Sequence, residues 1–112
     1  MSDCLFCRIV SKEIPATIVA ETDDALAFRD INPEAPVHVL VIPKTHHASL
    51  SHANDEHLLG HLMAFAATVA AQEGVAETGY RTVVNTGHNG GQTVDHLHVH
   101  VLGGRRMTWP PG

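Results

Sequence analysis

The chain lacks long hydrophobic runs and is short of basic residues, and both absences limit its partners. No apolar stretch approaches the roughly 18 to 20 residues that cross a bilayer, and the amino terminus has no basic region followed by an apolar segment. We therefore expect a cytoplasmic protein without membrane insertion. Because 7 Lys and Arg residues stand against 12 Asp and Glu residues, for a formal charge of -5, bulk nucleic acid is not an expected partner.

Cysteine is also scarce, which excludes a disulfide framework as the basis of the fold. Both cysteines lie in the segment Cys4-Leu5-Phe6-Cys7. In a reducing compartment this spacing is more typical of half a metal site than of a structural disulfide. The 112 residues are 44% hydrophobic and contain no repeat or linker, so we expect a single domain over residues 1–112 with a core of its own.

Histidine, in contrast, is abundant, and three of the ten histidines alternate with aliphatic residues in 96–102. A period of two predicts a strand that projects His96, His98 and His100 from one side. Same-face neighbours lie about 6.6 Å apart along a strand, whereas zinc holds nitrogens at about 2.0 to 2.1 Å. One ion would not gather all three rings, so a central reactive histidine with neighbours in other roles is favoured over an all-histidine metal centre. The alternative is a polar strand face that is merely rich in histidine.

The remaining pattern predicts an α+β domain. A turn cluster at residues 22–24 joins two short strands into a hairpin, and an apolar stripe with helical spacing predicts one long helix, N-capped by Asn54 and ended at Gly74. The predicted strands are Ile18–Glu21, Ala25–Arg29, 37–42, 81–85 and 96–102, and the predicted helix is 55 to about 73.

Three further features have alternative interpretations. His38, in an aliphatic strand, is more typical of a buried hydrogen-bonded residue, and a functional role requires that its strand lie beside 96–102. Three glycines within residues 87–91 let backbone N–H groups converge on a phosphate, although such a run is also simply a turn. Trp109 lies in an irregular tail, 103–112, and is expected to dock on its own domain or on a partner subunit.

These residues resemble the histidine triad (HIT) nucleotide hydrolases and transferases, whose signature is three histidines alternating with apolar residues. The similarity extends over nearly the whole chain and is closest to the Hint branch. Besides residues 96–102, the matching segments are Lys12-Glu13-Ile14-Pro15, Ala27-Phe28, Asp30-Ile31, Val41-Ile42-Pro43-Lys44, Gly90-Gly91-Gln92 and Trp109-Pro110-Pro111-Gly112.

The resemblance implies a five-stranded antiparallel sheet covered by one long helix and a short N-terminal helix, in a homodimer whose sheets join. It further implies hydrolysis of the bond between an amine and the α-phosphorus of a purine nucleoside monophosphate, with His98 as nucleophile and His96, His100 and His38 completing the catalytic set. Residue 93 is threonine where serine is usual, which keeps the hydroxyl. By position, the implied nucleotide contacts are Phe6, Ile9, Phe28, Arg29, Asp30, Ile31, Asn85, Gly91, Gln92, Thr93, His98, His100 and, in the tail near an active site of the dimer, Trp109.

Bacterial members that resemble this chain also imply a structural zinc ion. The corresponding ligands are Cys4, Cys7, His46 and His96. Two sulfurs and two nitrogens make a closed tetrahedral set. His47 in place of His46, or a pair of thiols without metal, are the alternatives.

Two other functions remain open at this point. One is a dinucleoside polyphosphate hydrolase or nucleotidyl transferase that uses the same His98 intermediate. The other is a nucleotide-binding regulatory protein whose hydrolytic activity is incidental. Neither the base preference nor the histidine that protonates the departing amine follows from the sequence.

Overall fold

The computed structural model describes residues 3–112 as one antiparallel sheet flanked by two helices. The strand order is β1-β2-β3-β5-β4. This confirms the predicted fold class of five antiparallel strands with one long and one short N-terminal helix. The elements are α1 (Leu5–Val10), β1 (Ile18–Glu21), β2 (Ala25–Arg29), β3 (Val37–Pro43), a short 3-10 turn (Leu50–His52), α2 (Glu56–Gln72), β4 (Tyr80–Val83) and β5 (Val99–Gly103).

Alternation along the strands divides the buried side chains between two faces of the sheet. Ala25 and Ala27 of β2 point into the core under α2, which includes Leu62 and Val69. The intervening residues point to the other face, where a smaller cluster forms under α1 from Phe6, Ile9, Leu26, Phe28, Leu40 and Ile42. Successive residues of a strand point to opposite faces, so the sheet separates the α2 core from the α1 side.

Strand β3 lies between β2 and β5, which brings His38 beside the triad segment. Leu40 pairs with His100 and His38 pairs with Leu102. In an antiparallel pair, directly opposed residues share a face, so His38 and His100 are diagonal neighbours on the α1 side. The strand of His38 thus lies beside the triad segment, which is what a functional role of His38 requires.

The triad strand is shorter than predicted, because the ladder with β3 begins only at Val99. The facing strand ends at Pro43, which has no N–H to continue the ladder. Residues 96–98 instead lie against the segment after β3, where the Leu97 N–H donates to the His47 carbonyl at 2.7 Å. The predicted strand over 96–102 is therefore wrong for its first three residues.

Two other boundaries also differ from the prediction. The side chain of Asp55, not that of Asn54, caps α2 by accepting a hydrogen bond from the Leu58 N–H at 3.1 Å. Two adjacent residues are both good caps, so sequence pattern alone did not separate them. Strand β4 covers Tyr80–Val83 rather than 81–85, which leaves Asn85 in the loop that follows. Within residues 3–112, neither helix has the length and apolarity required to cross a membrane.

Candidate active site and metal centre

The three triad histidines face the same side of the sheet, as predicted, and two of them pack on one phenylalanine. The Phe6 ring lies 5.8 Å from the His96 ring and 5.2 Å from the His98 ring, between centroids. The His98 and His100 rings are 5.0 Å apart. Leu97 and Val99 point the other way into the α2 core. The alternating pattern therefore produces a histidine face although two of its three histidines, His96 and His98, lie outside the ladder.

A cavity of about 490 Å³ opens beside His98 and His100. Its walls come from α1, from the ends of β2 and β3, and from the loop that precedes β5. The residues expected from the sequence that line this cavity are Phe6, Ile9, Phe28, Arg29, Asp30, Ile31, His38, Asn85, Gly91, Thr93, His98 and His100.

Three expected site residues have other surroundings. Gln92 does not line the cavity: its side-chain N–H groups donate to the carbonyls of Ala48 at 2.7 Å and Val94 at 3.0 Å, and its Oε1 accepts from the Gly87 N–H at 3.0 Å. Trp109 is exposed in the single chain. Arg29 does line the cavity, but its guanidinium pairs with the Glu73 carboxylate at 2.6 Å.

The Gln92 bonds fix the shape of the glycine loop that carries Gly91 and Thr93. A Cβ added at Gly90 would lie 2.4 Å from the Thr86 carbonyl oxygen, a distance that no side chain tolerates. Gly91 adopts φ +80°, which favours glycine. The loop therefore has a conformation that requires glycine at these two positions, and its residues Gly91 and Thr93 line the cavity.

A hydrogen bond at His98 determines which of its two ring nitrogens carries the proton and which has the free lone pair. Nδ1 lies 2.7 Å from the carbonyl oxygen of His96, which can only accept, so Nδ1 carries the proton. In a neutral imidazole, Nε2 then has the lone pair. A side chain with this tautomer can act as a nucleophile or a base through Nε2.

His38 and His100 form a directed pair. The Glu34 N–H donates to His38 Nδ1 at 3.0 Å, which places the His38 proton on Nε2. That Nε2 lies 2.9 Å from His100 Nδ1 and 3.4 Å from the Asp30 carboxylate. His100 Nδ1 is therefore an acceptor, and His100 Nε2–H is a hydrogen-bond donor.

Burial, with added repulsion from His98 and His38, lowers the pKa of His100 to about 4. Burial likewise lowers the pKa of His96, against the opposing effect of its bond to Pro43. Burial disfavours the charged form of both groups, so His96 and His100 are neutral at pH 7.

The four expected zinc ligands converge at the start of α1. Their ligand atoms all lie within 4.8 Å of one another. Zn–S bonds of about 2.3 Å and Zn–N bonds of about 2.0 Å place sulfur and nitrogen about 3.5 Å apart in a tetrahedron. The separations here are 3.3 Å from Cys4 Sγ and 3.5 Å from Cys7 Sγ to His96 Nδ1, and 3.4 Å from Cys7 Sγ to His46 Nδ1.

The second hydrogen bond of His96 supports the same assignment. Its Nε2 lies 2.9 Å from the Pro43 carbonyl oxygen, so Nε2 carries the proton and Nδ1 offers its lone pair to the cluster. A ligand histidine usually donates its other N–H to such an acceptor. The donor set therefore fits a tetrahedral metal ion.

Asp30, His38 and His100 form a second group whose ligand atoms lie close together. Here the outer partner of His38 is the Glu34 N–H, a donor, so the nitrogen that faces the group is protonated. To bind a metal ion here, His38 would have to move its proton from Nε2 to Nδ1. The Nδ1–H would then point at the Glu34 N–H, so that two donors would face each other. This group is therefore suited to proton donation, not to metal binding.

A separate cavity of about 440 Å³ lies on another part of the surface, near the N-terminus of α2. Asp23, Lys44, His57 and His61 are among its lining residues. It contains no triad histidine, and its acidic and histidine side chains are not among the converging ligand groups found in residues 3–112. The chemistry is therefore concentrated on the α1 side.

Sequence reasoning missed the apolar wall that follows α1. Leu5, Ile14, Pro15 and Ala16 line the active-site cavity together with Leu40 and Val94. The segment Lys12-Glu13-Ile14-Pro15 had been noted only as part of the resemblance. The available signal for this wall was a run of apolar residues directly after the short helix that carries metal ligands.

Comparisons with known proteins identify the family of this chain. The family model for the HIT domain matches residues 11–107. A 14 kDa zinc-binding protein of Zea mays is 52% identical, and the match covers 99% of this chain and 89% of that protein. The adenylylsulfatase HINT1 of Arabidopsis thaliana is 53% identical, and the match covers 99% of this chain and 78% of that protein. The crystal structure of a HIT family hydrolase from Legionella pneumophila Philadelphia 1 superposes with a TM-score of 0.95 at 53% identity, covering 98% of this chain and all of that one. The chain belongs to the HIT family.

Proposed function

We propose that the protein is a hydrolase that cleaves the bond between an amine and the α-phosphate of a purine nucleoside monophosphate. The observation that carries the proposal is the tautomer of His98, whose Nδ1–H is held by the His96 carbonyl so that Nε2 presents a lone pair to the cavity. A neutral imidazole is nucleophilic at neutral pH, and a covalent intermediate divides one difficult displacement into two easier ones.

In the first step, His98 Nε2 attacks the α-phosphorus, a P–N bond forms on the histidine, and the bond to the amine breaks as the amine nitrogen gains a proton. In the second step, water attacks the nucleotidyl-imidazole, which releases the nucleoside monophosphate and regenerates His98. We assign the amine's proton to the His38–His100 pair in its protonated form. The pair takes up one proton from solvent when the negative phosphate binds, gives it to the amine through His100 Nε2–H, and regains it from the water that attacks in the second step.

Negative charge that builds on the phosphoryl oxygens requires fixed donors. The Thr93 hydroxyl, the Gly91 backbone and His100 Nε2–H are candidates, because all three residues line the cavity beside His98. The apolar wall of Phe6, Ile9 and Phe28 suits a base. Asp30 suits the ribose hydroxyls.

His98→Ala is the decisive variant. With adenosine phosphoramidate as substrate, we expect turnover to fall by about a thousandfold or more while AMP still binds, since the pocket walls are unchanged. Initial rates and isothermal titration with AMP give the two readouts. Wild-type turnover in this variant would eliminate His98 as nucleophile.

Cleavage of a nucleotide–sulfate bond is the second candidate, because a relative that is 53% identical bears the name adenylylsulfatase. The same nucleotidyl-His98 intermediate serves this reaction, as it would serve dinucleoside polyphosphate hydrolysis or nucleotidyl transfer. Comparing kcat/KM for adenosine phosphoramidate, adenylyl sulfate and diadenosine polyphosphate ranks these activities. Tight nucleotide binding without turnover on any of them would favour a regulatory binding protein.

We further propose that Cys4, Cys7, His46 and His96 hold a structural zinc ion, in a protein that works as a cytoplasmic homodimer. The tetrahedral spacing of the donors and the zinc-binding name of two plant relatives support the metal. Four protein ligands leave no open position, so the ion when bound supplies a cross-link rather than an activated water.

Elemental analysis tests the metal site. Protein purified without chelator is expected to contain one zinc per chain, and Cys7→Ser is expected to lose most of it. His47→Ala is the matched control for His46→Ala, because His47 Nε2 pairs with Thr45 at 3.1 Å and lies outside the cluster. Zinc-free wild-type protein, or zinc loss only in His47→Ala, would contradict the assignment.

A further inference from the structure

Helix α1 has two functions within six residues. Phe6 and Ile9 line the active-site cavity, and Cys4 and Cys7, at the N-terminal end of the same helix, face His46 and His96 in the metal centre. Because these positions are interleaved along one short helix, the cavity wall and the metal ligands cannot move independently.

Apart from the metal cluster, apolar packing fixes this helix to the sheet. Its buried side chains, Phe6 and Ile9, belong to the smaller of the two core clusters. The ion pair between Arg8 and Glu13, at 3.3 Å, joins the helix only to the turn that follows it, and both side chains are about two-fifths exposed. Such surface pairs contribute little to stability. A metal ion bridging α1 to the segments after β3 and before β5 would therefore add a rigid cross-link to this apolar packing.

We propose that the Cys4–Cys7 pair is an oxidation site, at which a peroxide converts the two metal-binding thiolates to a disulfide, releases the ion and weakens nucleotide binding. This inference rests on the metal site proposed above. Cys7 is part-buried next to the exposed His46, so a small oxidant can reach the sulfur. The N–H of Cys7 donates to Cys4 Sγ at 3.4 Å, and the two sulfurs lie within 4.8 Å of each other.

The chemistry balances with a peroxide as the only co-reactant. One thiolate sulfur attacks the O–O bond, an S–O bond forms and hydroxide leaves. The second thiolate attacks that sulfur, the S–S bond forms, the S–O bond breaks and a second hydroxide leaves. Two thiolates thus lose two electrons, the peroxide is reduced, and two protons from solvent convert the hydroxides to water. No electron passes to or from the metal ion, which leaves because two of its four donors are gone.

Loss of the cross-link should affect the cavity wall more than the reactive histidine. The His96 ring still donates to the Pro43 carbonyl, and its own carbonyl still accepts from His98 Nδ1, so the nucleophile keeps its tautomer. The Phe6 and Ile9 wall, in contrast, loses its cross-link and keeps only its apolar packing. We expect AMP affinity to fall by on the order of tenfold and kcat to change less.

The experiment treats zinc-containing wild-type protein with hydrogen peroxide. Zinc release is followed with a coloured chelator, the disulfide by loss of two hydrogens in the intact mass, and AMP affinity by isothermal titration. Tryptic cleavage after Arg8 reports on α1, because cleavage within a helix requires local unfolding. Together we expect zinc release, faster cleavage and weaker AMP binding, all reversed by dithiothreitol with added zinc.

The double variant Cys4→Ser/Cys7→Ser is the control for other oxidation. Its AMP affinity is expected to match that of oxidised wild type and not to respond to peroxide. Zinc release without any change in AMP affinity would overturn the inference and leave the metal site standing. The same conclusion would follow if peroxide weakened AMP binding in the double variant as much as in wild type. Because AMP binding does not depend on turnover, a failure of the phosphoramidase assignment would be distinguishable from a failure of this inference.

Discussion

The roles of the histidines follow from the backbone groups that each ring meets. His96 and His98 both donate to carbonyls, which leaves one lone pair for the metal cluster and one for the cavity. His38 instead accepts from the Glu34 N–H, which makes it a donor to His100. A single hydrogen bond at each ring thus suits chemically identical side chains to the different roles proposed above, as ligand, nucleophile and proton donor.

The low pKa of His100 predicts that stability depends on pH. Unfolded His100 takes up a proton near its ordinary pKa of 6.5, whereas folded His100 does so only near 4. Between these values the unfolded state binds more protons, so stability is fully present above pH 6.5 and is lost as the pH falls toward 4. His100→Gln should reduce that loss by on the order of 2 kcal/mol, after allowance for the partly exposed ring.

Urea unfolding of wild type and His100→Gln at pH 7 and pH 4.5 measures this difference. His88→Gln is the matched control, because His88 is exposed on the glycine loop. It is expected to keep the wild-type dependence on pH. An identical decrease in stability in all three proteins would show that His100 is not responsible.

At the scale of elements, the cap of α2 is a position where the structure corrects the sequence. Asp55→Ala removes the acceptor of the Leu58 N–H and a negative charge at the helix start, so we expect a loss of about 1 kcal/mol in the free energy of unfolding. Denaturant unfolding measures it. Asn54→Ala, the neighbouring substitution, should change stability by less than about 0.5 kcal/mol, and the reverse order would restore Asn54 as the cap.

Short-range patterns predicted the elements well. The hairpin strands Ile18–Glu21 and Ala25–Arg29 begin and end where period-two patterning and the turn cluster placed them. The start of β5 could not be read this way, since the alternation begins at His96 while the ladder begins only at Val99, opposite Val41. Pairing depends on the neighbouring strand, which local pattern does not contain.

The candidate site was predictable in membership but not in protonation. The motif and the resemblance identified most of the residues that line the cavity, but they missed its apolar wall and two polar lining residues, Asn32 and Glu34. The tautomers depend on partners far along the chain, since the acceptor for His96 comes from Pro43, 53 residues earlier. Gln92 was expected at the nucleotide and instead holds the loop, because three backbone groups use its amide.

At the scale of the whole molecule, the sheet has its two sites on one face and the edge strand β4 at one side. The tail follows this edge: Arg81 of β4 donates to the Thr108 carbonyl at 3.0 Å and lies 5.9 Å from the centre of the Trp109 ring. An edge strand exposes unpaired backbone groups, and a large exposed indole is unfavourable in water. Both features suit a surface that a second copy of the chain covers.

We therefore predict a homodimer in which Trp109 is buried at the interface. Trp109 is 81% exposed in the single chain, so its burial against a partner would contribute strongly to association. Sedimentation velocity should give about twice the chain mass at micromolar concentration, and Trp109→Ala should weaken the dimer by about thirtyfold, equivalent to about 2 kcal/mol. Leu50→Ala, at another exposed apolar residue, controls for a general loss of surface area and should leave the dimer constant unchanged. A wild-type monomer of 12.0 kDa at all concentrations, or equal weakening by both substitutions, would remove Trp109 from the interface and return the tail to its own domain.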